Sequence, residues 1–337
     1  MRIIIPMAGM GKRMRPHTLT IPKPLIPIAG KPIVQRLAED IVKIANTKVE
    51  EIAFIIGDFG ADVEKQLLEI AEKLGAKGKI YYQHEPLGTA HAILCAADSL
   101  KGNVTVAFAD TLFKADFKLD HSKDGIIFVH EVADPSAFGV VKTNDNNIIT
   151  DFIEKPKDFI SNKAIIGIYY FKDGDYLKSE LQFLIDNNII KGNEYQLTDG
   201  LQNMMKKGTE FSVGTVDEWL DCGNKDATVH TNHRILELSK DTEKLVSETA
   251  LFTNSIITPP CYIGNNVEII NSIIGPHVSI GDNTKISDSI ITDTIIQTNS
   301  VIRNANIDRS MIGNHVEYKG DVKELSIGDF TTINYNV

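Results

Sequence analysis

Residues 1–27, MRIIIPMAGMGKRMRPHTLTIPKPLIP, hold the reading on which the fold turns. A short apolar run, Ile3 to Ile5, feeds a glycine-bearing turn that carries Lys12, Arg13 and Arg15, with Lys23 close behind. A strand leading into glycines and cations suggests a phosphate cradle at the end of a buried strand. The stretch is neither of two familiar cradles. The third glycine of G-x-G-x-x-G would fall at Met14, and a P-loop needs Ser or Thr where Arg13 stands. A helix beginning after Gly11 would offer free N–H groups to an anion, and the glycines would let backbone approach a phosphate. Read alone, the same residues form a solvated basic turn.

Working outward, the pattern to about residue 235 alternates short apolar runs with helical periodicity. EEIAFIIG, GKIYYQHEP, NVTVAFAD and GIIFVHEV read as strands beside IIIPMAG. PIVQRLAEDIVKIAN, DVEKQLLEIAEKLG and GTAHAILCAADSL carry apolar residues at i, i+3, i+4 and i+7, and read as helices. Asp62 is the expected N-cap of the second and Gly75 its C-cap. Strands alternating with helices imply an α/β domain with a mostly parallel mixed sheet, Rossmann-like in class. Ligands of such sheets sit at the carboxyl ends of strands, where the first glycine turn and Asp110 both fall.

From about residue 250 the texture changes. Ile263-Gly264, Ile274-Gly275, Ile280-Gly281, Ile312-Gly313 and Ile327-Gly328 punctuate a stretch with little helical periodicity. Aliphatics recur every five or six positions at Ile263, Ile269, Ile274, Ile280, Ile286, Ile291, Ile296 and Ile302. This is a hexapeptide-type repeat, in which short strands form the sides of a prism and the aliphatics stack inward. An ordinary antiparallel β-domain is the alternative, and the steps of five suggest imperfect coils. The expected division is a catalytic domain at 1–240, a linker at 241–255 and a left-handed parallel β-helix at 256–337. Residues 225–250 read as a charged connecting helix.

Composition narrows the function. The chain has 337 residues, 42% hydrophobic and 24% charged, with a formal net charge of -10. An acidic protein is a poor general nucleic-acid binder, so the basic loop better suits a small anion. Three cysteines without C-x-x-C spacing argue against a disulfide framework or a thiolate zinc site. No secretory h-region and no run of about 18 apolar residues is visible, so a cytoplasmic protein without membrane association is expected.

Three further constellations carry chemistry. In YYQHEPLGTAHA, Gln83 both donates and accepts, which suits the paired donor and acceptor of uracil or thymine, while Gly88 and Thr89 start a helix. Read alone, Gln83 is a strand-end glutamine. Asp110 ends VTVAFA, and Asp221 lies in EWLDCG beside Trp219; converging, they would make an oxygen site for Mg²⁺. In FIEKP, Glu154 and Lys155 alternate faces on a strand, so one can enter a crevice.

Taken together these motifs resemble the sugar-1-phosphate nucleotidylyltransferases, also called sugar-nucleotide pyrophosphorylases. MAGMGKRMRP with IPKPLIPIAGKPI resembles the signature A-G-x-G-T-R-x-x-P … P-K-x-L-x-P-[VIL]-x-x-K-P. QHEPLGTAHA, VAFADTLF, FGVV, IEKP, NEYQLTD and WLDCG follow in the family's order, up to about Gly223. The tail is similar to that of long-form glucose-1-phosphate thymidylyltransferases, and of related uridylyl and mannose-1-phosphate guanylyl enzymes. The resemblance implies transfer of a nucleotidyl group from an NTP, dTTP or UTP preferred, to a sugar 1-phosphate, glucose 1-phosphate first, with release of pyrophosphate. It implies Mg²⁺ on Asp110 and Asp221, and Arg13 and Lys23 on the triphosphate. It places Ala8, Gly9, Gly11, Gln83, Gly88 and Thr89 around the nucleotide, and Gly139, Glu154, Lys155 and Gly167 around the sugar. A homo-oligomer is expected. Lys12 stands where the signature has Thr, and Thr111 where thymidylyltransferases often have Asn. Alternatives are a guanylyl or N-acetylhexosamine-1-phosphate uridylyl enzyme, acyltransferase activity in the tail at His277 or His315, and an inactive regulatory subunit. Retention of Arg13, Lys23, Asp110, Lys155 and Asp221 argues against the last.

Overall fold

The computed structural model describes residues 1–321. It divides into two compact units, Met1–Thr231 and Asn232–Val337. The Ile327-Gly328 pair lies outside the described residues.

The strands of the first unit are β1 (Arg2–Pro6), the short pair β2 (Pro27–Ile28) and β3 (Lys31–Pro32), β4 (Glu51–Ile56), β5 (Lys77–Tyr82), β6 (Val104–Ala107), β7 (Thr111–Lys114) and β8 (Gly125–Glu131). They continue as β9 (Gly139–Thr143), β10 (Ile149–Glu154), β11 (Lys163–Phe171), β12 (Phe211–Thr215) and β13 (Glu218–Asp221). Its helices are α1 (Ile33–Ile44), α2 (Ala61–Lys73), α3 (Thr89–Leu94), α4 (Gly174–Asp186) and α5 (Leu197–Lys206). Nine strands form a mixed sheet in the order β10-β9-β11-β6-β1-β4-β5, with β8 joining β11 to β12. β1, β4, β5 and β6 run parallel, whereas β11 lies antiparallel to β6. All five expected strands are present. Ile3, Ile4 and Ile5 are fully buried, because a central strand covered on both faces has no polar side. Each such isoleucine contributes about 1.5–3 kcal/mol of burial.

Four local expectations change. After Gly11 the chain makes only a three-residue 3₁₀ turn, Lys12–Met14, so the helix expected to begin there is absent. The N-cap position of α2 is Gly60, with no side-chain cap, and Asp62 sits inside the first turn, where it complements the helix dipole. Gly75, at φ +72°, closes that helix as expected, its N–H donating to Glu72. The helix expected over GTAHAILCAADSL stops at Leu94, then tightens into a 3₁₀ turn at Ala97–Ser99. There Ser99 is held in a 2.7 Å hydrogen bond with the Tyr81 hydroxyl. The charged helix expected to residue 250 is α6, Lys225–Ser239, and it ends eleven residues early.

In the second unit, two-to-three-residue strands from Leu251 onward stack into three parallel sheets, the sides of the hexapeptide prism. Ile256, Ile273 and Ile290 share one register and Ile269, Ile286 and Ile302 another. Every member of the predicted aliphatic ladder, Ile263 through Ile302, is buried at 0–1% exposure. The steps of five do mark an irregularity: coils of 17 residues, as from Glu268 to Lys285, give way to coils of 16, as from Lys285 to Val301, while the ladder still pairs in register. Corners adopt φ near +50°, which short polar side chains tolerate best, and Asn254, Asn271, Asn266, Asn283 and Asn299 occupy them. Side-chain amides bond from coil to coil, as in Asn254 to Asn271 at 2.9 Å.

Candidate active site

The residues singled out in the sequence gather at the carboxyl ends of β1, β5 and β6. Met7, Ala8 and Gly9 follow β1, Gln83 follows β5, and Ala109 and Asp110 follow β6; with Lys23, Gly88 and Thr89 they line a cleft of about 260 Å³. A second lobe of about 470 Å³ is lined by Arg13, Asp110, Gly139, Glu154, Gly167, Trp219 and Asp221. Thr89, Phe108 and Asp110 border both lobes, so the cleft has two compartments with Asp110 at their junction.

The two aspartates converge through a strand pair. β13 runs antiparallel to β7 and sets Asp221 opposite Thr111, the neighbour of Asp110. The Cys222 N–H donates to the Asp110 carbonyl at 2.9 Å, locking the ends together. Burial raises the pKa of Asp221 and the like charge of Asp110 raises it further, against the Gly223 N–H, Lys23 and Arg13. Lys23 Nζ bonds Asp110 Oδ2 at 2.9 Å. Arg13 lies over Gly223, where an added Cβ would stand 3.1 Å from its guanidinium and 3.0 Å from both Asp221 oxygens. Two neighbouring carboxylates, with Lys23 and Arg13 already drawn to them, fit a hard divalent cation with oxygen ligands.

The first lobe is held by a backbone clasp. Gly88 has φ +115°, and a Cβ there would lie 2.5 Å from the Tyr195 carbonyl and 2.7 Å from its nitrogen. That close approach allows Tyr195 N–H to donate to Leu87 O at 2.8 Å and Ala90 N–H to Tyr195 O at 2.9 Å. Thr89 Oγ1 accepts from Leu197 N–H at 2.9 Å. The NEYQLTD segment, quoted in the sequence without assigned residues, is thus the partner that positions the glycine turn. Gln83 Nε2 donates to the Gly88 carbonyl at 3.3 Å and lies 3.2 Å from His91 Nδ1. Burial lowers the pKa of His91, which favours the neutral ring, and a neutral ring can accept at Nδ1. With Nε2 of Gln83 engaged within the protein, Oε1 is the atom left to accept a further hydrogen bond.

In the second lobe Glu154 Oε2 packs on Gly139, its register partner across β9 and β10, where a Cβ would come within 2.9 Å. Gly167, at φ +84°, breaks the β8–β11 register and accepts from Phe108 N–H at 3.0 Å. Glu154, rather than Lys155, lines the lobe. Lys155 leaves the strand at φ +44°, and its ammonium is exposed, 4.0 Å from Glu154. Arg13 borders the lobe of Glu154 and Asp221, whereas Lys23 borders that of Gln83. Lys12 is exposed on its turn.

Sequence reasoning missed the walls: Phe138, Tyr169, Gln196 and Asn224 also line the second lobe. Phe138 meets Trp219 edge to face at 5.0 Å, and Trp219 Nε1 is buried without a protein partner. The only available signal was the company of FGVV and NEYQLTD, since an aromatic in a strand reads as core.

The nucleotidyl transferase family matches residues 2–237, and the GlmU-like C-terminal hexapeptide family matches residues 239–323. The chain belongs to the sugar-1-phosphate nucleotidyltransferase family. It is 30% identical over 274 residues to the mannose-1-phosphate guanylyltransferase catalytic subunit beta of Drosophila melanogaster, covering 78% of this chain and 71% of that one. It is 31% identical over 272 residues to the bifunctional protein GlmU of Methanococcus maripaludis, covering 79% of this chain and 62% of that protein. A UDP-glucose pyrophosphorylase solved with UDP-glucose shares the fold at TM-score 0.57 and 24% identity, over 70% of this chain and 98% of that one. Among the described residues no helix is long and apolar enough to cross a membrane.

Proposed function

We propose that the enzyme transfers a uridylyl or thymidylyl group to glucose 1-phosphate, giving the nucleoside diphosphate sugar and pyrophosphate. The observation that carries the choice of base is Gln83. With its amide nitrogen engaged by Gly88 and His91, it offers one carbonyl acceptor, which matches the single N3–H of uracil or thymine. Guanine presents two adjacent donors, better met by a carboxylate. The relatives named for guanylyl transfer keep that base as the second reading.

The attacking group is a phosphate oxygen of the sugar phosphate, already ionised near neutral pH, so no general base is needed. The obstacle is repulsion between two anions and the charge carried by the α-phosphoryl group. Positioning and electrostatics therefore supply the catalysis. Lys23 and Arg13 hold the triphosphate and the departing pyrophosphate. Lys155 swings from its exposed position onto the sugar phosphate, while Glu154 and the Gly139 turn receive sugar hydroxyls. Trp219 Nε1, buried and unpartnered by protein, is a donor for one of them. Gly167 shapes the floor beside Phe108. Asp110 and Asp221 would hold Mg²⁺, which when bound neutralises negative charge between the reacting phosphates. Lys23, held 2.9 Å from Asp110 Oδ2, brings its ammonium to the same junction.

Pyrophosphate release, measured with Mg²⁺ across four NTPs and a panel of sugar 1-phosphates, tests this reading. UTP or dTTP with glucose 1-phosphate should lead the panel. A lead by GTP with mannose 1-phosphate would overturn the choice of base, and no release with any pair would leave an inactive subunit.

A further inference from the structure

The second unit holds a cluster that the reaction above does not use. His233 stands on α6, while His277 and Asp293 occupy corresponding corners of successive coils, at φ +62° and +40°. Asparagines fill most other such corners, so this column departs towards metal-ligating side chains. The two imidazoles stack with centroids 3.4 Å apart and planes within 18°. His233 Nδ1 lies 2.7 Å from Asp293 Oδ1, and His277 Nε2 lies 2.7 Å from Glu237 Oε1.

Hydrogen bonding leaves one atom unexplained. Glu237 can only accept, so Nε2 of His277 carries the proton and, in the neutral ring, Nδ1 carries a lone pair. That Nδ1 is buried without a hydrogen-bond partner, and Asp293 Oδ1 lies 3.6 Å from it. A buried lone pair facing a carboxylate is unfavourable unless a cation lies between them. A proton would serve poorly, because 3.6 Å is too wide for a hydrogen bond. A tetrahedral ion with bonds of about 2.0–2.1 Å separates its ligand atoms by roughly 3.3 Å, close to this gap.

We propose that His233, His277 and Asp293 form a binding site for a divalent transition-metal ion, zinc first. Their ligand atoms all lie within 4.8 Å of one another. Two imidazoles and one carboxylate suit zinc and disfavour Mg²⁺. The fourth position falls to water, since Asp293 is 29% exposed. Glu237 is the positioning residue, a carboxylate fixing the tautomer of a ligating histidine. His277, only 11% exposed, is held in place; His233, at 35%, has to turn out of its stack on His277 and back off Asp293 by about half an ångström to aim its lone pair at the ion. The ion would tie the helix to a coil corner 60 residues later and stabilise this unit as structural zinc does.

The test uses the full chain without a histidine tag, stripped with EDTA and titrated with ZnCl₂ in the absence of nucleotide. One tightly held equivalent is expected, raising the melting temperature of the stripped protein, and Co²⁺ should give the visible bands of a tetrahedral N/O site. His277→Asn, which suits the corner backbone, combined with His233→Gln should abolish the equivalent and the bands while leaving nucleotidyl transfer with Mg²⁺ intact. Glu237→Gln should weaken zinc by roughly 10- to 100-fold. Retention of the zinc equivalent by the double variant, or its absence from the wild-type chain, would overturn the site. Should the double variant fail to fold, the Co²⁺ spectrum and zinc-dependent melting of the wild type decide the matter.

Discussion

Gly88→Ala puts the clasp around the first lobe, where we place the nucleotide, to a quantitative test. The new Cβ would stand 2.5 Å from the Tyr195 carbonyl oxygen, about 0.9 Å inside the 3.4 Å of ordinary contact, on backbone that cannot rotate away. Alanine at φ +115° also carries strain of order 1–3 kcal/mol. Relief requires the Leu87–Ala90 segment to withdraw, breaking the bonds at 2.8 and 2.9 Å to Tyr195, each contributing about 0.5–1.5 kcal/mol. The expected destabilisation is about 2–5 kcal/mol, a fall in melting temperature of roughly 5–20 °C for a unit of this size. Because Gln83 is bonded to the Gly88 carbonyl, the KM for NTP should rise at least tenfold in steady-state pyrophosphate release. Gly9→Ala is the control: it borders the same lobe, yet nothing lies within 4 Å of its Cβ, so ligand-free melting should not change. Equal melting of the two variants would refute the steric argument, as would a Gly88→Ala enzyme with wild-type KM.

Asp221→Asn should lower kcat by roughly 100-fold or more while raising the stability of the ligand-free enzyme. Its folded pKa is raised, chiefly by burial, so folding favours the protonated form. Stability is therefore lost as pH rises from the unfolded carboxylate value through the folded one, and the Asn variant should melt higher at pH 7 but not at pH 3; melting across pH 3–8 reads this directly. Lys155→Ala should cost roughly 10- to 100-fold in kcat/KM for the sugar phosphate and leave the KM for NTP within about twofold; unchanged turnover would remove Lys155 from the reaction. Gln83→Glu should raise the KM for UTP and dTTP at least tenfold, since a carboxylate cannot donate to the Gly88 carbonyl and repels it instead.

Much of this protein was legible along the chain because the signals are local. A hydrophobic run bounded by glycine, such as Ile3 to Ile5, specifies a buried strand and its end in one stroke. The aliphatic spacing in the tail fixed which isoleucines point inward, because each coil repeats the same short-range constraint on side-chain direction. Where local signals were ambiguous, the expectation slipped. The basic turn at Lys12–Met14 reads as a helix start, but tightens into one 3₁₀ turn with Met14 fully buried beneath it. Asp62 has the chemistry of a cap, yet Gly60 takes the position because the backbone enters the helix at φ +85°.

The sequence by itself determined the two-part architecture, the order of the motifs and the family, since period, glycine punctuation and motif spacing are one-dimensional properties. It also supplied the candidate carboxylates, but not their meeting. Only the tertiary structure decided that Asp110 and Asp221 share one junction, through an antiparallel pairing of β7 and β13 across more than a hundred residues. It alone set Glu154 in the cleft and Lys155 outside, and required glycine at position 88 because Tyr195 passes within 2.5 Å. It alone stacked His233 on His277 beside Asp293. Proximity between distant residues is fixed by how packed elements bury their surfaces, and no local pattern carries that information.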